Sequence, residues 1–169
     1  SINYLIDTQF RITQVADADV ALIEPTASNV QQDISRLPGV AQTEGARYVP
    51  VNLVAGHRSY RTAIQGLPQH ARLKRLLYEN LREVALPSDG LLLTDRLAQR
   101  LDVRTGDKLW VETLQGKRRQ REMTIAGTVG EMIGMSVYMD IDALNRLMGE
   151  APSVSSVAVT LDRKREAEF

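Results

Sequence analysis

The apolar residues of this 169-residue chain occur in short runs that turn-forming residues interrupt. The longest purely aliphatic runs, such as Val20–Ile23 and Leu91–Leu93, contain only three or four residues. A helix that crosses a bilayer needs about 20 consecutive apolar residues. The pattern therefore predicts one domain, or two small subdomains, built from short strands and helices that fold outside the bilayer.

Composition narrows the class of protein further. A hydrophobic fraction of 43% is enough for a packed core, and the 21 Lys and Arg residues balance the 21 Asp and Glu residues. A chain with no net charge has no field that attracts nucleic acid, so no nucleic-acid partner is predicted. The absence of cysteine excludes disulfides, thiolate metal sites and cysteine nucleophiles, and it suits an exported protein.

The first third of the sequence predicts a β-α-β unit followed by a hairpin. Asp19–Glu24 reads as a buried strand, and Ser28 with Gln31 matches a capping box at the start of a short helix. Val40–Val54 alternates like a strand, in which Pro50 indicates an edge position or a bulge. A turn at Gly56-His-Arg-Ser and a returning strand complete the hairpin.

The middle third is predicted to be rich in strands. An amphipathic helix around Leu73–Leu81 precedes a brief strand at Leu91–Leu93. Thr94 is placed to cap a helix whose buried face is Leu97, Ala98 and Leu101. The next two segments then form a hairpin. They are Lys108–Leu114, with Leu109, Val111 and Thr113 on one face, and Arg118–Val129.

The last third returns to alternating strand and helix. A strand around Ser136–Met139 leads into a helix that Asp140 or Asp142 caps and Gly149 closes. Val154–Leu161 is predicted to be the final strand. The whole chain is therefore assigned to the α+β class.

A search for reactive residues predicts no catalytic, cofactor or metal site. His57 and His70 stand alone in polar turns, which is typical of exposed histidines and not of zinc ligands. Asp140 and Asp142 are better explained as helix caps than as a metal-binding pair. The basic run Lys117–Arg121 is expected to be solvated charge at a hairpin tip.

One loop is unusually apolar. Met132, Ile133 and Met135 follow a predicted strand, where polar residues are the norm. The segment is either a buried crossing between subdomains or an adaptable contact surface, because methionine suits variable partners. These three residues are the candidate contact site for a partner or substrate.

Four groups of segments together carry a resemblance to a known family. The segments are Leu37-Pro-Gly-Val with Glu44 and Val49-Pro-Val; Gly56-His-Arg through Ile64-Gln-Gly-Leu-Pro; Asp89 to Asp107; and Tyr138-Met-Asp with Ala143 to Glu150. In this order they resemble the large extracytoplasmic domain of an ABC-transporter permease of the FtsX/MacB type, over most of Asp7–Leu161.

The resemblance implies a particular architecture. Such domains resemble a split α/β subdomain, called the porter, with a β-rich subdomain, called the sabre, inserted into it. Residues 1–16 would be a membrane-proximal stalk and residues 17–66 the first half of the porter. Residues 67–130 would be the inserted sabre-like part, and residues 131–169 a truncated second half of the porter.

The resemblance also implies a function without chemistry in this part of the protein. A separate cytoplasmic ATPase and a second permease subunit would be the partners, and no cofactor would be bound. Motion driven by ATP would cross the membrane to this domain, on the periplasmic or extracytoplasmic face, and move lipids, lipoproteins or peptides or activate a partner. We expect an apolar stretch of about 20 residues directly before Ser1 in the full protein.

Two other functions remain open from the residues alone. A lipid- or peptide-binding module would have a sizeable apolar cleft and would be stabilised by its ligand. An enzyme would bring acidic or basic groups with shifted pKa values into a cluster that the linear sequence hides.

Overall fold

The computed structural model describes residues 18–69, 86–130 and 134–162 as a mixed fold of strands and short helices. The predicted helices at Ser1–Ala16 and around Leu73–Leu81 lie outside these residues. The strands are β1 (Ala18–Ala27), β2 (Val40–Ala55), β3 (Arg58–Leu67), β4 (Leu91–Thr94), β5 (Lys108–Thr113), β6 (Gln120–Val129), β7 (Val137–Asp140) and β8 (Ser153–Leu161). The helices are α1 (Val30–Ser35), α2 (Asp95–Leu101) and α3 (Ile141–Met148).

All eight strands of the described residues belong to one sheet that closes on itself over part of its width. Six strands follow one another in the order β2, β3, β7, β4, β6 and β5, and β5 pairs again with β2. We call this arrangement the closed ring. The remaining strands β1 and β8 join the first part of β2, Val40 to Ala46, in an antiparallel arrangement that we call the three-stranded sheet.

The closed ring encloses the main hydrophobic core. Side chains of a strand alternate between its two faces, so β2 directs Val49, Val51 and Leu53 into the ring, where all three are fully buried. Helix α2 lies near the β2–β3 turn, since the Arg100 guanidinium is 5.7 Å from the centre of the Tyr60 ring. Helix α3 lies at the opposite end of β3. The two helices add Leu97, Ala98 and Leu101, and Ala143, Leu144 and Met148, to this core.

The contact between α3 and β3 depends on a residue without a side chain. A Cβ atom on Gly66 would lie 2.7 Å from Leu144 Cδ2 and 3.2 Å from the Arg47 carbonyl oxygen. Such distances are shorter than van der Waals contact, so only glycine lets α3 approach the strand this closely.

The three-stranded sheet has a separate, smaller core. Helix α1 packs Ile34 against Val154, Val157 and Val159 of β8. The predicted capping box at its start is wrong, because Gln31 is used elsewhere: its Nε2 donates to the Thr43 carbonyl at 3.1 Å. The side chain therefore ties α1 to β2, a tertiary contact that outweighs local capping.

Most predicted elements are confirmed. The buried face of α2 and the alternation of β5 are as expected. Asp140 caps α3 by accepting from the Ala143 N–H at 3.0 Å, and Gly149 ends the helix with φ of 66°. Thr94 precedes α2 but does not cap it with its side chain; its Oγ1 accepts from the Ser136 N–H instead.

Strand pairing links residues that are assigned to different predicted subdomains. The second half of β2, assigned to the porter-like part, pairs with β5, and β7, assigned to the same part, pairs with β4. Strand β2 belongs to both parts. The fold is mixed and rich in sheet, as the α+β class requires, whereas the division into porter and sabre stays a prediction.

We predict that replacing Leu93 by alanine lowers the free energy of unfolding by about 2 to 5 kcal/mol, because Leu93 is fully buried in the ring and its loss leaves a cavity. The same substitution at Leu37, which is 47% exposed, should cost about 0.5 kcal/mol or less. Chemical denaturation of both variants tests this. Equal losses at the two sites would contradict the assignment of the main core to the ring.

Candidate functional site

The residues predicted to contact a partner are only partly described. Met135 is half-buried and packs against the core of the closed ring. Met132 and Ile133 lie outside the described residues. The packing of Met135 agrees with a buried crossing for that residue, and the role of the three residues as a contact surface stays a prediction.

Among the described residues, the charged side chains singled out in the sequence do not converge on a reactive centre. His57 is exposed in the β2–β3 turn, while His70 lies outside the described residues. The basic run Lys117–Arg121 lies in the β5–β6 connection and the start of β6. Within residues 18–69, 86–130 and 134–162, no group of three or more His, Asp or Glu side chains is arranged to hold a metal ion.

The most unusual arrangement lies where β2 changes neighbours. One edge of β2 pairs with β8 as far as Ala46 and with β5 from Val51 onward. Between them, the Tyr48 N–H donates to Ser155 Oγ at 3.1 Å, and the Pro50 carbonyl accepts from the Leu114 N–H at 2.9 Å. Pro50 has no N–H to donate, and it lies where β2 has no backbone partner to accept one on that edge.

Arg47 is buried beside this change of neighbours. It occupies the inward position on β2 next to Val49, and only 1% of its side chain is exposed. Its Nη1 donates to Asn145 Oδ1 at 2.5 Å and to Ser153 Oγ at 2.8 Å, and its Nη2 lies 2.9 Å from Glu150 Oε2. Since an unpaired buried charge is strongly destabilising, these acceptors are what permit an arginine at this position.

The acceptors are held by the segment that joins α3 to β8. Asn145 lies on the buried face of α3, and its Nδ2 donates to the Ser153 carbonyl at 3.3 Å. Gly149 reverses the chain after the helix, and the Glu150 N–H donates to the Asn145 carbonyl at 3.1 Å. The turn therefore places Glu150 opposite Arg47 and leads directly into β8.

The network connects the two parts of the fold. Arg47 lies on the strand that both parts share, Asn145 on the helix at the end of the closed ring, and Ser153 at the start of β8 in the three-stranded sheet. We call Arg47, Asn145, Glu150 and Ser153 the junction cluster. Its hydrogen bonds and its ion pair join β2, α3 and β8 at one point.

Sequence reasoning missed the junction cluster, although a signal existed. An arginine at an inward position of an otherwise apolar strand, and an asparagine on the apolar face of α3, are both unusual in a core. Each needs a partner, but the two residues are 98 positions apart, and only the fold reveals that they meet.

Comparison with solved structures identifies the fold. The periplasmic region of MacB from Actinobacillus actinomycetemcomitans matches with a TM-score of 0.58 at 10% identity, covering 94% of this chain and 80% of that one. The extracellular domain of YknZ, a noncanonic ABC-type transporter from Gram-positive bacteria, matches with a TM-score of 0.54 at 11% identity, covering 85% and 82%. No family model matches the sequence, and a search of curated proteins finds no significant match.

These likenesses confirm the MacB part of the sequence resemblance at the level of fold. The chain has the fold of the extracytoplasmic regions of MacB and YknZ. The helices of the described residues are too short and too polar to cross a bilayer.

We predict that Asn145→Ala lowers the free energy of unfolding by about 2 to 4 kcal/mol, because it removes an acceptor from a buried guanidinium. Asn52→Ala, on the outer face of β2, should change it by about 0.5 kcal/mol or less. In an Arg47→Met background the cost of Asn145→Ala should fall, since no buried charge then needs the acceptor. An unchanged cost in that background would contradict the proposed coupling.

Proposed function

We propose that this chain is the extracytoplasmic domain of an ABC-transporter permease and relays ATP-driven motion to lipid, lipoprotein or peptide substrates or to a partner protein. The observation that carries the proposal is the fold match, which extends over 94% of the chain and 80% of the MacB periplasmic region. In this proposal the chain binds no cofactor and catalyses no reaction, and a cytoplasmic ATPase supplies the energy. A second permease subunit completes the transporter.

The layout of the strands supports a relay. The chain enters β1 and leaves β8 at one end of the three-stranded sheet, where Ala18 pairs with Val159 and Val40 with Leu161. From there β2 runs 16 residues to the turn at Gly56, which is about 50 Å at 3.3 Å per residue. A displacement at the ends of β1 and β8 is therefore carried into the closed ring by a continuous strand.

The junction cluster supports the same function. A domain that relays motion needs a rigid connection between the part that receives the displacement and the part that acts on the substrate or partner. Arg47 provides one, because it is bonded to a helix of the ring and to a strand of the three-stranded sheet at once. Buried and satisfied polar networks fix one arrangement of the surrounding elements.

We predict that a cysteine at His57 reacts with a membrane-impermeant maleimide in intact cells from which any outer envelope has been removed. His57 is exposed at the β2–β3 turn, and the chain contains no other cysteine. The full-length protein would be used in a background cleared of its other cysteines. A cysteine placed in the cytoplasmic ATPase should react only after lysis. Labelling of His57→Cys only after lysis would exclude an extracytoplasmic location.

We further predict that Met132→Ser with Ile133→Ser reduces transport by the full-length permease while ATP hydrolysis continues. Met135→Ser is made separately, because Met135 packs against the main core and its loss should also lower stability. The matched control is Leu37→Ser, an exposed apolar residue outside the loop. Normal transport by the double variant would contradict the prediction that Met132 and Ile133 contact a partner or substrate.

A further inference from the structure

The junction cluster contains an imbalance between its two charged members. Arg47 is 1% exposed, whereas 43% of the Glu150 side chain is exposed. Glu150 is the carboxylate that pairs with Arg47, and the other acceptors, Asn145 and Ser153, are neutral. The Nε atom of Arg47 is buried and has no acceptor. The charge of Arg47 is therefore balanced by Glu150, a carboxylate that is itself partly exposed to water.

The position of Glu150 indicates which parts of the fold this imbalance would affect. Glu150 lies in the short connection between α3, at the end of the closed ring, and β8, in the three-stranded sheet. If Glu150 turns into solvent, its own charge is solvated, but among the described residues Arg47 keeps only its two neutral acceptors, Asn145 and Ser153. A buried charge in that state favours rearrangements that let water reach it. A shift of α3 and the ring relative to the start of β8 would expose Arg47 to water in this way.

We propose that the Arg47–Glu150 ion pair is a releasable latch that holds the closed ring and the three-stranded sheet at one angle, and that opening it permits a second angle. The proposal deepens the proposed function, on which it rests, by naming the element that would change state during the relay. Asn145 and Ser153 position the Arg47 guanidinium, and the ion pair with Glu150 is the interaction that breaks. Two arrangements of one packed interface are a common basis of such switches.

Strand β2 supplies the place where the angle would change. On one edge of β2 the pairing with β8 ends at Ala46 and the pairing with β5 begins at Val51, and between them the edge is held by the Tyr48–Ser155 and Pro50–Leu114 hydrogen bonds. The opposite edge stays paired with β3 from Arg47 to Ala55. A strand with fewer hydrogen bonds on one edge is easier to bend there than where both edges pair fully, so we place the hinge in the interval beside the latch.

The test measures the angle directly in this chain. Gln32 on α1 and His57 in the β2–β3 turn are both exposed, on the three-stranded sheet and on the closed ring respectively. Because the chain has no cysteine, Gln32→Cys and His57→Cys take spin labels at these two sites alone. Electron spin resonance then gives the distribution of distances between the two parts.

The latch predicts one dominant distance in the unaltered chain. In Glu150→Ala a second distance should grow from below about 10% of molecules to a major share. Glu150→Gln, which keeps an acceptor but loses the charge, should lie between the two. Glu122→Ala removes an exposed carboxylate on the outer side of β6 and should leave the distribution unchanged. High salt should reproduce part of the change in the unaltered chain, since the exposed partner is screened.

Two outcomes separate this inference from the proposed function. A single unchanged distance in Glu150→Ala, with the thermal unfolding transition intact, would overturn the latch and leave the permease assignment untouched. In the full-length permease, Glu150→Ala should lower transport per ATP hydrolysed, because a released latch no longer transmits displacement. A second distance in the chain with unaltered transport in the permease would overturn the relay instead.

Discussion

The fold depends on one strand that belongs to both the closed ring and the three-stranded sheet. Strand β2 pairs with β8 over its first half and closes the ring with β3 and β5 over its second half. Where the neighbours change, the edge of β2 is held by the Tyr48–Ser155 and Pro50–Leu114 hydrogen bonds, and the side chain of Arg47 lies beside this interval. A buried guanidinium is stable only if it has hydrogen-bond acceptors, so α3 and β8 must lie where Asn145 and Ser153 can accept from Arg47.

Placing a charge at this point has a structural consequence that an apolar residue would not have. An apolar contact tolerates sliding, since dispersion and burial depend little on direction. Hydrogen bonds from one guanidinium to Asn145 and Ser153 are directional, so they define how α3 and β8 sit relative to β2. The same charge makes the interface responsive, because its balance depends on the half-exposed Glu150. Rigidity and the capacity to switch thus come from the same side chain.

Much of the local structure was predictable. The alternation of β5, the buried face of α2 and the Asp140 cap of α3 were all read from spacing and confirmed. The failures share one cause, which is that a side chain was assigned a local partner and has a distant one. Gln31 donates to Thr43 and not within its helix, and Thr94 accepts from Ser136. Local patterns carry no information about such partners.

The sequence by itself determined the class of fold and the order of the described elements, because periodicity, capping and turn residues act over a few positions. Only the tertiary structure decided that six strands close into a ring, that β2 is shared, and that Arg47 meets Asn145 and Ser153. The hydrogen bonds of Arg47 join residues about 100 positions apart in the chain. Their geometry is set by how the whole chain packs, and no short stretch of sequence contains it.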